Sequence, residues 1–377
     1  MNKHIGALTS LRGIAATVIV VLHFAYSTLP EAGITLSQYT SFFRGGYLFV
    51  DLFFILSGFI MTHVYLESFA TGVNKVNYWT YLRARFARIY PLHLFTLGLL
   101  VGLESLKLFL PNFQAFTGRF NLTALIANVS MLQAFDFNCP PLLWCKSTWN
   151  EPAWSISVEF LIYGIFPFLL FALLKTKPKI DWIIYLGTLI MLLLLIRFTR
   201  GTLGSIIGIP SIARCGLEGV MGILTYKAYQ WGKHQSKFNF KLLELGSIVL
   251  VIGLMHKWNR SRIILDWATL PAFSLLILSL ASTTNGFIFK ILNSRPLLYL
   301  GTISYSIYMV HWCLIQFLET FWLYEFQVPF GSGFDRSSCL LVLGLFIPIS
   351  LITAAFTYHF VEVPMRNLLK PKLQVSS

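Results

Sequence analysis

The sequence predicts an all-α, polytopic membrane protein of about ten transmembrane helices, and three observations carry that prediction. Of 377 residues, 56% are hydrophobic and 12% charged, about half the roughly 25% charged share of a soluble domain. The apolar residues run in long unbroken stretches rather than in the alternating short segments of a barrel. Lys and Arg punctuate those stretches instead of forming a basic stripe, so the net charge of +14 reads as membrane topology and not as a nucleic-acid surface. Lipid offers no water to the backbone, so the spans must be helices.

A span needs about 20 apolar residues to cross roughly 30 Å of hydrocarbon. On that scale the chain reads as spans over 11–29, 46–66, 84–104, 153–174, 182–197, 211–230, 242–257, 264–284, 297–319 and 337–360. The fifth and seventh are short. The apolar stretch 121–136 reads as a re-entrant or interfacial helix, because promoting it to a span would place Lys175, Lys177 and Lys179 outside. With both termini cytoplasmic, eighteen basic residues fall inside and ten outside, as positively charged inner loops require. One transmembrane domain over 1–377 is expected, with 105–152 as a non-spanning stretch, 361–377 as a short tail and no cleaved leader. Cys139 and Cys145 share one loop and read as free thiols or as a disulfide pair. No cysteine spacing suggests a metal centre.

Ionisable groups at membrane depth are expensive and mark candidate sites. In the first span, SLRGIAATVIVVLHF, Arg12 and His23 lie 11 residues apart, about 20° from a whole number of turns and about 16 Å along the axis. They share one face. An elongated anion entering from the cytoplasm would meet Arg12 first and present its far end to His23. Taken singly, Arg12 also reads as a snorkelling anchor and His23 as helix glue. In YLRARFARIYPLHL, Arg85 and Arg88 share a face while Arg83 points elsewhere. Two guanidiniums side by side suit a phosphate group. Pro91 is positioned to kink that helix.

Glu159 lies two turns into the fourth span, where it is expected to orient the His23 ring. Asp51 lies in the second span, catalytic, in an ion pair or a helix cap, with Ser57 and Gly58 allowing close helix approach. His311 falls at the depth of His23. Arg214 and Glu218, spaced i, i+4, read as a local pair, and Trp149 and Trp154 as interface-belt residues. His63, His93 and His359 suggest no partner. The chain has no GxSxG, HExxH, Walker A or GxGxxG pattern and no His-x4-Asp.

Six phrases in order carry a resemblance: SLRGIAATVIVVLHF, GYLFVDLFFILSGFIM, RARFARIYPLHL, WNEPAWSISVEFLIYGIFP, LGTISYSIYMVHW and VEVPMRN. The chain resembles the acyltransferase 3 family from about residue 5 to 368. The family's Arg-x10-His falls on Arg12 and His23 and its Arg-x-x-Arg on Arg85 and Arg88. Glu159 and Asp51 also fall on positions typical of it.

The resemblance implies transfer of an acyl group, usually acetyl from acetyl-CoA, to a hydroxyl of a glycan, a lipid-linked sugar or another exported acceptor. It implies no metal, a multi-pass protein of the cell membrane, and work beside exopolysaccharide or surface-glycan assembly proteins. With about 17 residues after the last span, the chain reads as a stand-alone member without the extra C-terminal domain. In this reading Arg12, Arg85 and Arg88 hold the donor phosphates and His23 is the general base, or an acyl-carrying relay. The competing reading is a transporter or flippase with Arg12, His23 and Glu159 as its path; a scaffold or sensor ranks last.

Overall fold

The computed structural model describes residues 5–135, 148–199, 201–232, 240–256 and 263–369. Among them every regular element is a helix. Helix α1 (Gly6–His23) runs directly into a π-helical turn, Phe24–Thr28. Then come α2 (Pro30–Tyr39), α3 (Phe49–Phe69) and the 33-residue α4 (Lys75–Lys107), which continues unbroken through Pro91. Asn74 caps α4 by accepting from the Asn77 backbone N–H at 2.8 Å. The stretch expected to be re-entrant yields one eight-residue helix, α5 (Leu122–Val129), with Leu122, Ile126 and Val129 exposed.

After it come α6 (Ala153–Leu174), α7 (Pro178–Phe198), α8 (Ile209–Gly232), α9 (Phe240–His256) and α10 (Ile263–Ser282). The chain continues through α11 (Phe287–Leu292), α12 (Arg295–Thr302), α13 (Ser304–Phe326), α14 (Arg336–Thr357) and α15 (Val363–Leu369). A second π-helical turn, Tyr358–Glu362, joins α14 to α15.

Each expected span falls on a helix. Among the described residues seven helices are long and apolar enough to cross, or eight if α12 and α13, bent by 63°, form one span. Helix α9 is described over Phe240–His256. Helix α8 carries buried Arg214 and Glu218 and packs against α3, α6, α7 and α10, so protein surrounds it and an apolar outer face is not required. Helices α7 and α14 show what lipid selects, with outward stripes of Ile183, Leu186, Ile190 and Leu194 and of Leu341, Leu345 and Ile352.

Helix α1 sits centrally, touching α3, α10, α12, α13 and α14. Two glycine contacts set the spacing around it. A Cβ on Gly13 would lie 2.6 Å from the Gly301 nitrogen, and one on Gly58 would lie 2.3 Å from the Gly219 oxygen. Helices α1 and α12, and α3 and α8, therefore meet backbone to backbone, as the Ser57–Gly58 pair leads one to expect.

Candidate active site

Two cavities lie end to end beside α1. The first, about 130 Å³, is walled by Arg12 of α1, Ser57 of α3, Arg85 and Arg88 of α4, Glu159 and Tyr163 of α6, and Ser304, Tyr305 and Tyr308 of α13. We call it the arginine chamber. The second, about 220 Å³, is walled by His23, Tyr47, Gln133, Glu151, Trp154, Arg214 and Tyr308, among others, and is the histidine chamber. The shared face of Arg12 and His23 thus opens into two adjoining spaces.

The three arginines of the first chamber are held differently. Arg85 donates to Tyr65 Oη at 3.1 Å, approaches Met61 Sδ at 3.2 Å and lies 5.3 Å from the Tyr65 ring centre, a cation–π seat. Arg88 pairs with Glu362 Oε1 at 3.0 Å. Glu362 sits in the second π turn and also accepts from Ser306 at 2.8 Å. Arg12 makes no hydrogen bond or ion pair among the described residues. The chamber's three guanidiniums face Glu159, while Glu362 beside Arg88 is shared with Arg366 at 3.7 Å, an excess of positive charge that favours an anion. Arg83 is exposed and outside the chamber.

Glu159 lies among these arginines. Its Oε1 accepts from Ser57 Oγ at 2.5 Å and from Tyr163 Oη at 2.7 Å. The group that meets His23 is instead His311, whose Nε2 is 2.8 Å from His23 Nδ1, with the rings stacked at 5.1 Å. His311 Nδ1 lies 3.0 Å from the Ile307 carbonyl. A carbonyl only accepts, so Nδ1 carries the His311 proton and, in the neutral ring, Nε2 accepts. His23 must then donate from Nδ1, which puts its basic lone pair on Nε2. His23 is also the residue at which α1 widens into its π turn, a feature frequent at functional sites.

On the other side of His23, the Trp312 ring stands edge-on at 5.7 Å and carries the Arg119 guanidinium 5.7 Å above it. Arg119 pairs with Glu151 of the chamber wall. None of Trp312, Arg119 and Glu151 was singled out from the sequence, although Trp312 closes LGTISYSIYMVHW and Glu151 lies in WNEPAW; Arg119 sits in a stretch with no periodicity to read.

Asp51 is fully buried, accepts from Arg214 Nε at 2.8 Å and is ion-paired with Nη2 at 2.7 Å. Arg214 also donates to the carbonyls of Leu203 and Ile206, and Glu218 stands farther off at 3.6 Å. The expected local pair is therefore the weaker contact: the strong partner comes from α3, 163 residues away. Asp266 accepts from Tyr47 Oη at 2.8 Å and from Leu203 N at 2.9 Å, extending the buried network to α10.

The expectation of an interface belt fails for both tryptophans. Trp149 is fully buried against Phe116 and Phe120, and Trp154 packs between Phe54 and Arg214. The remaining histidines do find partners: His63 with Tyr226, His93 with the Asn128 carbonyl and His359 with Tyr299. Cys215, Cys313 and Cys339 are free and buried, while Cys139 and Cys145 lie outside the described residues. No group of three His, Cys, Asp or Glu among the described residues is placed to hold a metal ion.

The model of an acyltransferase-domain family, Acyl_transf_3, matches residues 5–359. The chain belongs to the Acyl_transf_3 family. The O-acetyltransferase OatA of Staphylococcus aureus (strain NCTC 8325 / PS 47) is 24% identical over 390 residues, covering 97% of this chain and 58% of OatA. A second S. aureus protein (strain COL), provisionally named an O-acetyltransferase, is 25% identical over 388 residues with the same coverage. The chain thus spans 58% of the length of these relatives. No solved structure matches it. Arg12, His23, Arg85, Arg88, Asp51 and Glu159 all lie inside the part matched by the Acyl_transf_3 model.

Proposed function

We propose that this Acyl_transf_3 protein moves an acyl group, most simply acetyl, from cytoplasmic acyl-CoA to a hydroxyl of a cell-surface glycan or lipid-linked sugar. One observation carries the reading: a single helix places an unpartnered guanidinium in one chamber and, in the next, a histidine whose tautomer is set by a second histidine. The O-acetyltransferase names of the relatives fit a hydroxyl acceptor.

Arg12 supplies open donors to the CoA phosphates, Arg85 is seated on Tyr65, and Arg88 is steadied by Glu362. Glu159 acts electrostatically on Arg12 and keeps the chamber from becoming a permanent anion trap. Asp51 acts through Arg214, holding it in the wall of the histidine chamber. A wall of Tyr47, Trp154, Gln133 and Glu151 suits a sugar, offering aromatic faces to C–H groups and amide and carboxylate groups to hydroxyls.

In the chemical step His23 Nε2 takes the proton of the acceptor hydroxyl as its oxygen attacks the thioester carbonyl. The C–O ester bond forms, the C–S bond breaks, and CoA leaves as thiolate. The imidazolium then returns its proton to that sulfur. Nδ1–H stays on His311 throughout, so the base never loses its orientation.

The test is purified protein with labelled acetyl-CoA and a sugar acceptor, following free CoA thiol and acetyl ester together. Stoichiometric appearance of both is expected. A protein that leaves the donor intact while moving sugar across liposomes would overturn the proposal in favour of a transporter, a reading that family membership already disfavours.

A further inference from the structure

The two chambers are distinct cavities that share part of their walls. Of all the residues lining them, two belong to both walls, Tyr308 and Val50. Both are buried, at 5% and 8% exposure. Tyr308 is also tied to both sides: its hydroxyl meets Ser155 Oγ at 2.8 Å and donates to the Pro152 carbonyl at 3.1 Å. Ser155 lines the arginine chamber and Pro152 the histidine chamber. The Tyr308 ring is braced by Phe53, edge to face at 6.0 Å, and stands one turn below His311 on α13. A tyrosine in the wall common to both chambers, pinned at its tip and packed along its side, is placed to act as a partition.

Arg12 and His23 lie about 16 Å apart along α1, one on each side of this partition. A donor held by its phosphates at Arg12 therefore has to pass its thioester between Tyr308 and Val50 to reach His23. From this we infer that Tyr308, with Val50, determines which acyl groups cross, and keeps acceptor-side water from the thioester until one does. The inference rests on the acyl-transfer reading above. In it Tyr308 is a specificity-determining residue, and a short acyl group passes where a longer one meets the ring.

Two arms test it. In the first, acetyl-CoA and butyryl-CoA compete for the same acceptor. Each methylene in a fitted pocket changes selectivity by about ten-fold or more, so Tyr308→Ala is expected to raise the butyryl-to-acetyl ratio at least about ten-fold. It should also raise acceptor-free hydrolysis of acetyl-CoA. Val50→Ala, which leaves the tyrosine in place, should move both in the same direction by a smaller factor. Ratios and hydrolysis unchanged from wild type in both variants would overturn the inference.

The second arm needs no activity. Ser57→Cys puts a thiol in the arginine chamber, and an impermeant thiol reagent is applied to proteoliposomes from each side. With Tyr308 present, labelling from one side is expected; with Tyr308→Ala added, labelling from both. Labelling that stays one-sided would overturn the partition even if wild type transfers normally. A wild type that transfers nothing, with two-sided labelling in the variant, would instead remove the acyl-transfer reading and leave the partition standing.

Discussion

The arginine chamber and the histidine chamber are neighbours on α1, but they are built by opposite means. The first collects cations from two helices and leaves one of them, Arg12, without a fixed partner. The second fixes its key group on one side, since His23 meets His311 and His311 meets a backbone carbonyl. A donor that arrives as a flexible polyanion needs accessible charge, whereas a proton-transfer step needs one ring nitrogen aimed one way. The difference between the chambers teaches that binding and chemistry are separated by a helical length, so substitutions in the two should separate KM from kcat.

The largest expected effect is at His23. His23→Ala should lower kcat by about 100-fold or more while the protein still inserts and elutes as wild type by size exclusion; substantial remaining turnover would remove it as the base. Asp51→Ala strips the nearer carboxylate from a buried guanidinium and leaves only the more distant Glu218, a change worth at most about 3–5 kcal/mol of stability, to be read as a fall in thermal unfolding temperature in detergent. An unchanged midpoint would mean that the Arg214 network does not hold α3 to α8.

Smaller effects sharpen the contrast between chambers. Arg12→Ala should raise the donor KM about ten-fold or more, the worth of one charge-assisted hydrogen bond of about 1.5–3 kcal/mol, with kcat nearly kept. A kcat loss at constant KM would place Arg12 with the chemistry instead. His311→Gln should lower kcat about ten-fold, or ~1.4 kcal/mol in barrier, at constant donor KM, because the base is kept but its tautomer is released. The smallest effect is expected at Glu362→Gln, a few-fold fall in donor KM from the loss of one negative charge beside Arg88, and donor titrations would show it.

Much of the site was legible because it lies within single helices. The Arg12–His23 face follows from 3.6 residues per turn, the Arg85–Arg88 pair from i, i+3 spacing, and the depth of His311 from its place in a span. What was illegible joins distant segments. Glu159 was expected at the depth of His23, yet it lines the chamber of Arg12, where its carboxylate accepts from Ser57 and Tyr163. Arg214 was read with its neighbour Glu218, while its stronger partner arrives from another helix. Glu362 was only a letter in VEVPMRN until a π turn aimed it at Arg88.

By itself, the sequence determined that the chain is helical and membrane-embedded, because apolar length and the cost of an unpaired backbone in lipid leave no other solution. It also determined which face of α1 carries charge, because helical rise and twist are properties of the backbone alone. Only the tertiary structure decided which partner each charged group takes, and that the charged face opens into two chambers with Tyr308 between them. Those outcomes depend on how far helices rotate and how closely glycines such as Gly13 and Gly58 let them approach, and no local pattern encodes either.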